Sequence, residues 1–310
     1  MATRRLALTV ALGLVLIPSA LSTGAGAQSP QLQVVASFSI LADLVKQLGG
    51  DRVEVTSLVG PNGDAHVYEP TPSDANRLMQ AKVIFVNGFG LEGWITRLIK
   101  ASGSKALVVV ASNGVKPIDA DEDEHGREKA IGRAHRFDPH AWQNVANAKL
   151  YVVTIRDALI QADPEGKATY QANTAQYRAK LDELEQDVVA AVARIPASKR
   201  KIITTHDAFG YFAKAYGMQF IPLQGISTEA QAAAKDVAKI IRQIRAQRVS
   251  AVFLENVTDP RLMEQIAKES GAKIGPKVYS DALSNPIGPA ATYIDMIRHN
   301  IRAFSEALTS

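Results

Sequence analysis

Short apolar runs rich in valine and isoleucine alternate along the chain with longer stretches whose apolar residues recur every three or four positions. Such alternation builds parallel sheets covered by helices, because a strand buried on both faces reads as a continuous apolar run. Strands are predicted at residues 32–37, 53–59, 83–87 and 107–110, and again at 201–205, 218–222, 249–254 and 277–279. Helices are predicted through Leu41, Leu44, Val45 and Leu48 to a stop at Gly49-Gly50, from a Ser73-Asp74 cap, around 94–100, over 228–247 and over 289–308. The second half repeats the plan of the first without repeating its residues.

The segment between the halves opens with Asp163-Pro164, a side-chain cap followed by proline at the first helical position, and closes near Ile195-Pro196. Its less polar positions, from Tyr170, Thr174 and Tyr177 through Leu181, Leu184 and Val188 to Ile195, step by three and four, which predicts one unbroken helix of ~45 Å. A helix of that length between two α/β units acts as a spine and limits how far they swing apart. The predicted fold is therefore α/β with two lobes, each a small parallel sheet covered by helices. The lobes span residues 28–162 and 196–310, joined by a rigid backbone helix at 163–195, with a cleft between them. Residues 119–136 are densely charged, lack an apolar period and read as a mobile surface loop.

The first residues add a destination. Arg4-Arg5, the apolar stretch Leu6 to Ile17 and the small residues Ala25-Gly26-Ala27 read as a secretory signal peptide over 1–27, with a mature chain starting near Gln28. The apolar stretch falls short of the roughly 20 residues a membrane-spanning helix needs. An exported protein free in the periplasm is the expectation. The sequence has no cysteine, which excludes disulfides, thiolate metal ligands and a lipid on cysteine. Arg4 and Arg5 are the only charged residues of 1–27, so the formal net charge of +4 falls to +2 in the mature chain. With no basic stripe, nucleic acid is excluded as a partner.

Three of the six histidines sit where strand or loop ends open toward the cleft. His66 follows the second strand in Gly63-Asp-Ala-His66, His140 lies in Asp138-Pro-His140-Ala-Trp142, and His206 ends the strand Ile202-Ile-Thr-Thr-His206. Asp281 follows the last strand in Tyr279-Ser-Asp281. Ligand sites of open parallel sheets form at the carboxyl ends of the strands, so these four converge if the lobes face each other. Three imidazoles and one carboxylate suit a divalent transition ion. The spacings of 74, 66 and 75 residues form no local motif, and at this point a shared metal site stands beside histidines that are simply hydrogen-bonded. Four protein ligands fill a tetrahedral site and leave no place for an activated water, which favours a carrier over a hydrolase. The hydrolase alternative requires Asp281 to stand off the metal, and the chain has no His-Glu-x-x-His motif to support it. Asp138, Asp207 and Glu255 are candidate acceptors for the second ring nitrogens of the histidines. His125 and His135 in the charged loop are candidates for auxiliary metal capture, and His299 reads as a surface helix residue.

Several stretches together carry a resemblance: His66-Val-Tyr-Glu-Pro-Thr-Pro-Ser-Asp74, Asp138 to Trp142, Thr204-Thr-His206-Asp-Ala-Phe-Gly-Tyr-Phe, Gly225-Ile-Ser-Thr-Glu229 and Tyr279-Ser-Asp281-Ala-Leu. On these residues the chain resembles the solute-binding proteins of zinc and manganese ABC transporters. The resemblance implies two lobes joined by a backbone helix, with metal in the cleft held at the positions of His66, His140, His206 and Asp281. It implies no catalysis and an inner-membrane permease as partner, with a monomeric chain and a periplasmic metallochaperone as further expectations. Ala65 departs from the proline many relatives carry before the first histidine. Manganese-binding relatives often place glutamate at the third ligand, whereas this chain has His206, so the expected ion is Zn2+, with Mn2+ or iron as alternatives.

Overall fold

The computed structural model describes residues 30–120, 137–229, 234–247, 249 and 251–309. The expected signal peptide, His125, His135 and nearly all of the charged loop lie outside them. The first lobe carries β1 (Leu32–Phe38), β2 (Val53–Val59), β3 (Val83–Val86) and β4 (Leu107–Val110), all parallel, in the order β2-β1-β3-β4. The second lobe repeats the same order, β6-β5-β7-β8, with β5 (Lys201–Thr204), β6 (Gln219–Pro222), β7 (Ala251–Val252) and β8 (Lys273–Ile274). Each chain path runs outward from its first strand, returns, and continues on the other side. That reversal leaves a crevice at the carboxyl ends of β1 and β3, and of β5 and β7, the usual place for a ligand in an open α/β sheet.

The helices that cover the first sheet are α1 (Ser39–Gly49), α2 (Pro72–Gln80), α3 (Ile95–Ser102) and α4 (Val145–Ala162). The spine is α5 (Lys167–Arg194), preceded by a single tight turn over Pro164–Gly166. Its buried residues are Tyr170, Thr174, Tyr177, Leu181, Leu184, Val188, Ala191 and Val192, the face the three-and-four spacing predicts. The second lobe adds α6 (Gly210–Tyr216), α7 (Ala234–Gln247), α8 (Arg261–Ser270) and α9 (Tyr293–Thr309).

Several boundaries differ from the sequence expectation, each for a local reason. The cap of α2 is Thr71 and not Ser73-Asp74: Thr71 accepts from the Asp74 backbone N–H while the Asp74 carboxylate accepts from the Thr71 N–H, and Pro72 takes the first helical position. Asp163 does not cap the spine; its carboxylate accepts two hydrogen bonds from Arg52 (2.8 and 2.9 Å) and one from Tyr170 (2.6 Å). α9 starts at Tyr293 because Thr292 and Asp295 form its cap. The edge strand of the second sheet is Lys273–Ile274, not 277–279. Gly275 presses against the Phe253 ring, and Pro276 lacks the N–H needed to continue the ladder. The chain rejoins at Val278 as an isolated bridge to Glu255, so Asp281 hangs from that bridge and not from a strand end.

Side chains of β5–β7 alternate between two cores, as the period of two requires. Ile203, Ile221 and Val252 face a small cluster under α7 and α8. Ile202, Phe220, Ala251 and Phe253 face the other way, into a core that continues through α9 and α5 to β1 and β3 of the first lobe. The stack of Phe209, Phe212, Phe220, Phe253 and Phe304, with centroids 4.8–5.9 Å apart, forms the second lobe's share of it. One continuous apolar core thus spans both lobes.

Candidate metal centre

The two lobes bring His66, His140, His206 and Asp281 together. One donor atom from each lies within 4.8 Å of all the others. His66 belongs to the segment 60–71 between β2 and α2, which has no regular structure, and the Ala65 carbonyl beneath it accepts from the Trp94 indole at 2.9 Å. Ala65 itself is fully buried, so the loop is tied down at the position where proline is missing. His140 stands before a single 3-10 turn, Ala141–Gln143, whose Trp142 and Gln143 side chains donate to the Ser280 carbonyl at 3.0 and 2.8 Å. These two bonds fasten the residue before Asp281 to the residues after His140. His206 sits two residues past the end of β5.

The separations have the scale of a coordination shell. His66 Nε2 lies 3.2 Å from His140 Nε2 and 3.2 Å from Asp281 Oδ2, and His206 Nε2 lies 3.0 Å from the same oxygen. His140 Nε2 is 3.6 Å from Asp281 Oδ1. Nitrogen and oxygen ligands 2.0–2.1 Å from a tetrahedral ion stand about 3.3 Å apart along the edges of the tetrahedron. Three Nε2 atoms and a carboxylate therefore already converge on a volume the size of one ion.

The opposite ring nitrogens of His140 and His206 face carboxylates. His140 Nδ1 faces Asp138 Oδ1 at 2.7 Å, and His206 Nδ1 faces Glu255 Oε2 at 2.5 Å. The other Glu255 oxygen accepts the backbone N–H groups of Thr205 and His206 at 2.7 and 3.0 Å. With Nδ1 facing its carboxylate, a neutral ring of His140 or His206 turns its Nε2 lone pair into the site, the arrangement metal-bound histidines require. The backbone N–H of Asp207 donates to the Gly225 carbonyl, and Glu255 faces the ring of His206. His299 lies away from the cleft on α9, its Nε2 against the Lys277 carbonyl at 2.8 Å.

The charges follow from this geometry. Burial opposes a proton on His140, but the Asp281 and Asp138 carboxylates outweigh it and carry its pKa up to about 9. His206 is raised in the same sense, against burial, by Glu255 and Asp281. Burial wins at His66, whose pKa falls despite Asp281. Burial alone would raise Asp281; the two charged imidazoles hold it well below the carboxylate range.

The family model for the periplasmic component A of zinc-uptake complexes matches residues 34–307. The chain belongs to this family. Family membership makes it an extracytoplasmic substrate-binding protein of a metal ABC transporter, a class that binds and delivers and does not catalyse, and that works with a membrane permease and its ATPase. The chain is 34% identical over 310 residues to the manganese ABC transporter substrate-binding lipoprotein PsaA of Streptococcus pneumoniae, covering 98% of this chain and 97% of that protein. It is 34% identical to the iron ABC transporter substrate-binding lipoprotein MtsA of Streptococcus pyogenes serotype M1, covering 96% of each. Among solved structures, the periplasmic zinc-binding protein TroA of Treponema pallidum superposes with a TM-score of 0.81 at 29% identity, covering 90% of this chain and 99% of that one. The two-lobe architecture is that of the family; the names of these relatives cite three different metals.

Proposed function

We propose that this family member carries zinc as its cargo, held by His66, His140, His206 and Asp281, and hands it to an inner-membrane ABC permease from the periplasm. Residues 1–27 serve export in this reading, and the cysteine-free mature chain works as a free monomer. The observation that supports zinc is the donor set: three imidazoles and one carboxylate with donor atoms within 4.8 Å of one another, two of the imidazoles facing Asp138 and Glu255. Nitrogen-rich four-coordinate sites favour zinc, whereas manganese favours more oxygen donors and a higher coordination number.

Manganese or iron is the second reading, and the named cargo of the streptococcal relatives is what favours it. Protein stripped with chelator and titrated with zinc against manganese separates the two. Zinc cargo requires uptake of about one ion per chain, a zinc affinity well above that for manganese, and loss of most of that affinity in His140→Ala. Replacing His206 by glutamate then shifts preference toward manganese, by exchanging an imidazole for a carboxylate. Manganese displacing zinc from the parent protein at equal concentration would overturn the zinc assignment.

A further inference from the structure

The four donors are not held alike across the cleft. His140 and Asp281 are joined through fully buried bonds, the Trp142 and Gln143 side chains to the Ser280 carbonyl, with all five residues at 0% exposure. His66 rides on the irregular segment 60–71, and that segment meets the second lobe through bonds nearer to water. The Asn62 N–H donates to the Leu283 carbonyl at 2.9 Å, and Asn256 Nδ2 donates to Asn62 Oδ1 at 3.1 Å. Asn62 holds this position with a φ of 56°, in the left-handed region that asparagine tolerates better than most residues. The third bond is the shortest: Thr228 Oγ1 donates to Asp64 Oδ2 at 2.6 Å.

Asp64 uses both oxygens. Its Oδ1 accepts the backbone N–H of His66 at 2.9 Å, fixing the ligand's own backbone, while Oδ2 reaches the second lobe through Thr228. Asp64 and Thr228 are half-buried, so water can replace the hydroxyl when the segment lifts, at little cost in unsatisfied groups.

We propose that Asp64 and Thr228 form a latch that holds the His66 segment against the second lobe and sets the rate at which the metal leaves. Release then begins on the His66 side, while the buried His140–Asp281 junction stays assembled. Asp64 is a positioning residue in this scheme: it touches the ligand's backbone and not the ion. The latch presupposes the metal site proposed above.

The test is zinc dissociation from the zinc-loaded full chain into excess chelator, followed by stopped flow. Thr228→Val keeps the shape of the side chain and removes the hydroxyl. Loss of one hydrogen bond to a charged acceptor predicts dissociation about tenfold faster, with about one zinc still bound per chain. Thr228→Ser restores the hydroxyl and the parental rate, and the metal-free Thr228→Val protein melts with the parent, which a merely structural role for Thr228 would not allow. The double variant Asp64→Ala/Thr228→Val releases zinc no faster than Asp64→Ala alone, since the two residues act through one bond. Dissociation from Thr228→Val within twofold of the parent, or a double variant whose acceleration is the product of the two single ones, overturns the latch while leaving the metal site standing. A parent protein that takes up neither zinc nor manganese overturns the site and the latch with it.

Discussion

At the scale of single residues, the site carries more protons than a metal can tolerate. Zinc binds neutral imidazole, and His140 with a pKa near 9 and His206 with a raised pKa both hold a proton at neutral pH in the metal-free chain. Both pKa values lie above that of a free histidine, that of His140 at about 9, so the ion must displace protons. Binding near pH 7 is therefore expected to release about two protons per zinc, and affinity to climb with pH until His140 titrates near 9. Calorimetry in two buffers of different ionisation enthalpy counts those protons, and a count near zero contradicts the charge state described. Position at predicted strand and loop ends made the donors candidates, and the family resemblance was what joined the four into one set. Asp138, two residues before His140, could be paired with it from spacing alone. The Asp64–Thr228 bond could not, since nothing local connects residues 164 positions apart.

At the scale of elements, legibility followed β-branched composition more than burial. β2 and β4 keep their predicted bounds as edge strands with exposed positions such as Glu54, Val108 and Val110, because valine and threonine mark them. β7 and β8 shrink to two residues each, because Pro276 and the close approach of Gly275 to Phe253 break the ladder, effects that hydropathy does not register. Three helices join the predicted set. α4 carried its signals openly, with Asn144 accepting from the Ala146 N–H as cap and Val145, Ala148, Tyr151, Val152 and Ile155 on one buried face. α6 and α8 are short, and their ends at Gly217 and Gly271 adopt the left-handed conformation that glycine supplies. The spine was the clearest element, since its mean composition is polar and its buried stripe correspondingly distinct. Leu184 sits on that stripe at 0% exposure. Leu184→Ala leaves a void in the shared core and is expected to cost about 2–5 kcal/mol in denaturant unfolding, with zinc stoichiometry unchanged. A loss below 1 kcal/mol would mean that the spine's packing matters less than its burial indicates.

At the scale of the whole molecule, the two lobes repeat one topology and share the larger core, while a smaller cluster under α7 and α8 belongs to the second lobe alone. The apolar cluster of the first lobe runs through Leu181, Leu184 and Val188 of the spine and Met296, Ile301 and Phe304 of α9 into Phe209, Phe220 and Phe253 of the second lobe. A hinge needs a seam where few contacts cross, and here the seam is filled. Wide opening would expose that shared core to water at about 25 cal/mol per Å2 of apolar surface, which a single bound ion has no means to offset at both ends of its cycle. Motion on metal exchange must then be local, confined to irregular segments such as 60–71, which enter the core only through Ala65 and the flank of Tyr68. Scattering profiles of metal-free and zinc-loaded protein are expected to give radii of gyration within about 1 Å of each other, the range of pre-organised binding. For the same reason the lobes should unfold together, in one transition that zinc shifts to higher temperature. Two resolved transitions, with only the later one responding to zinc, would show that the continuous core does not couple the lobes.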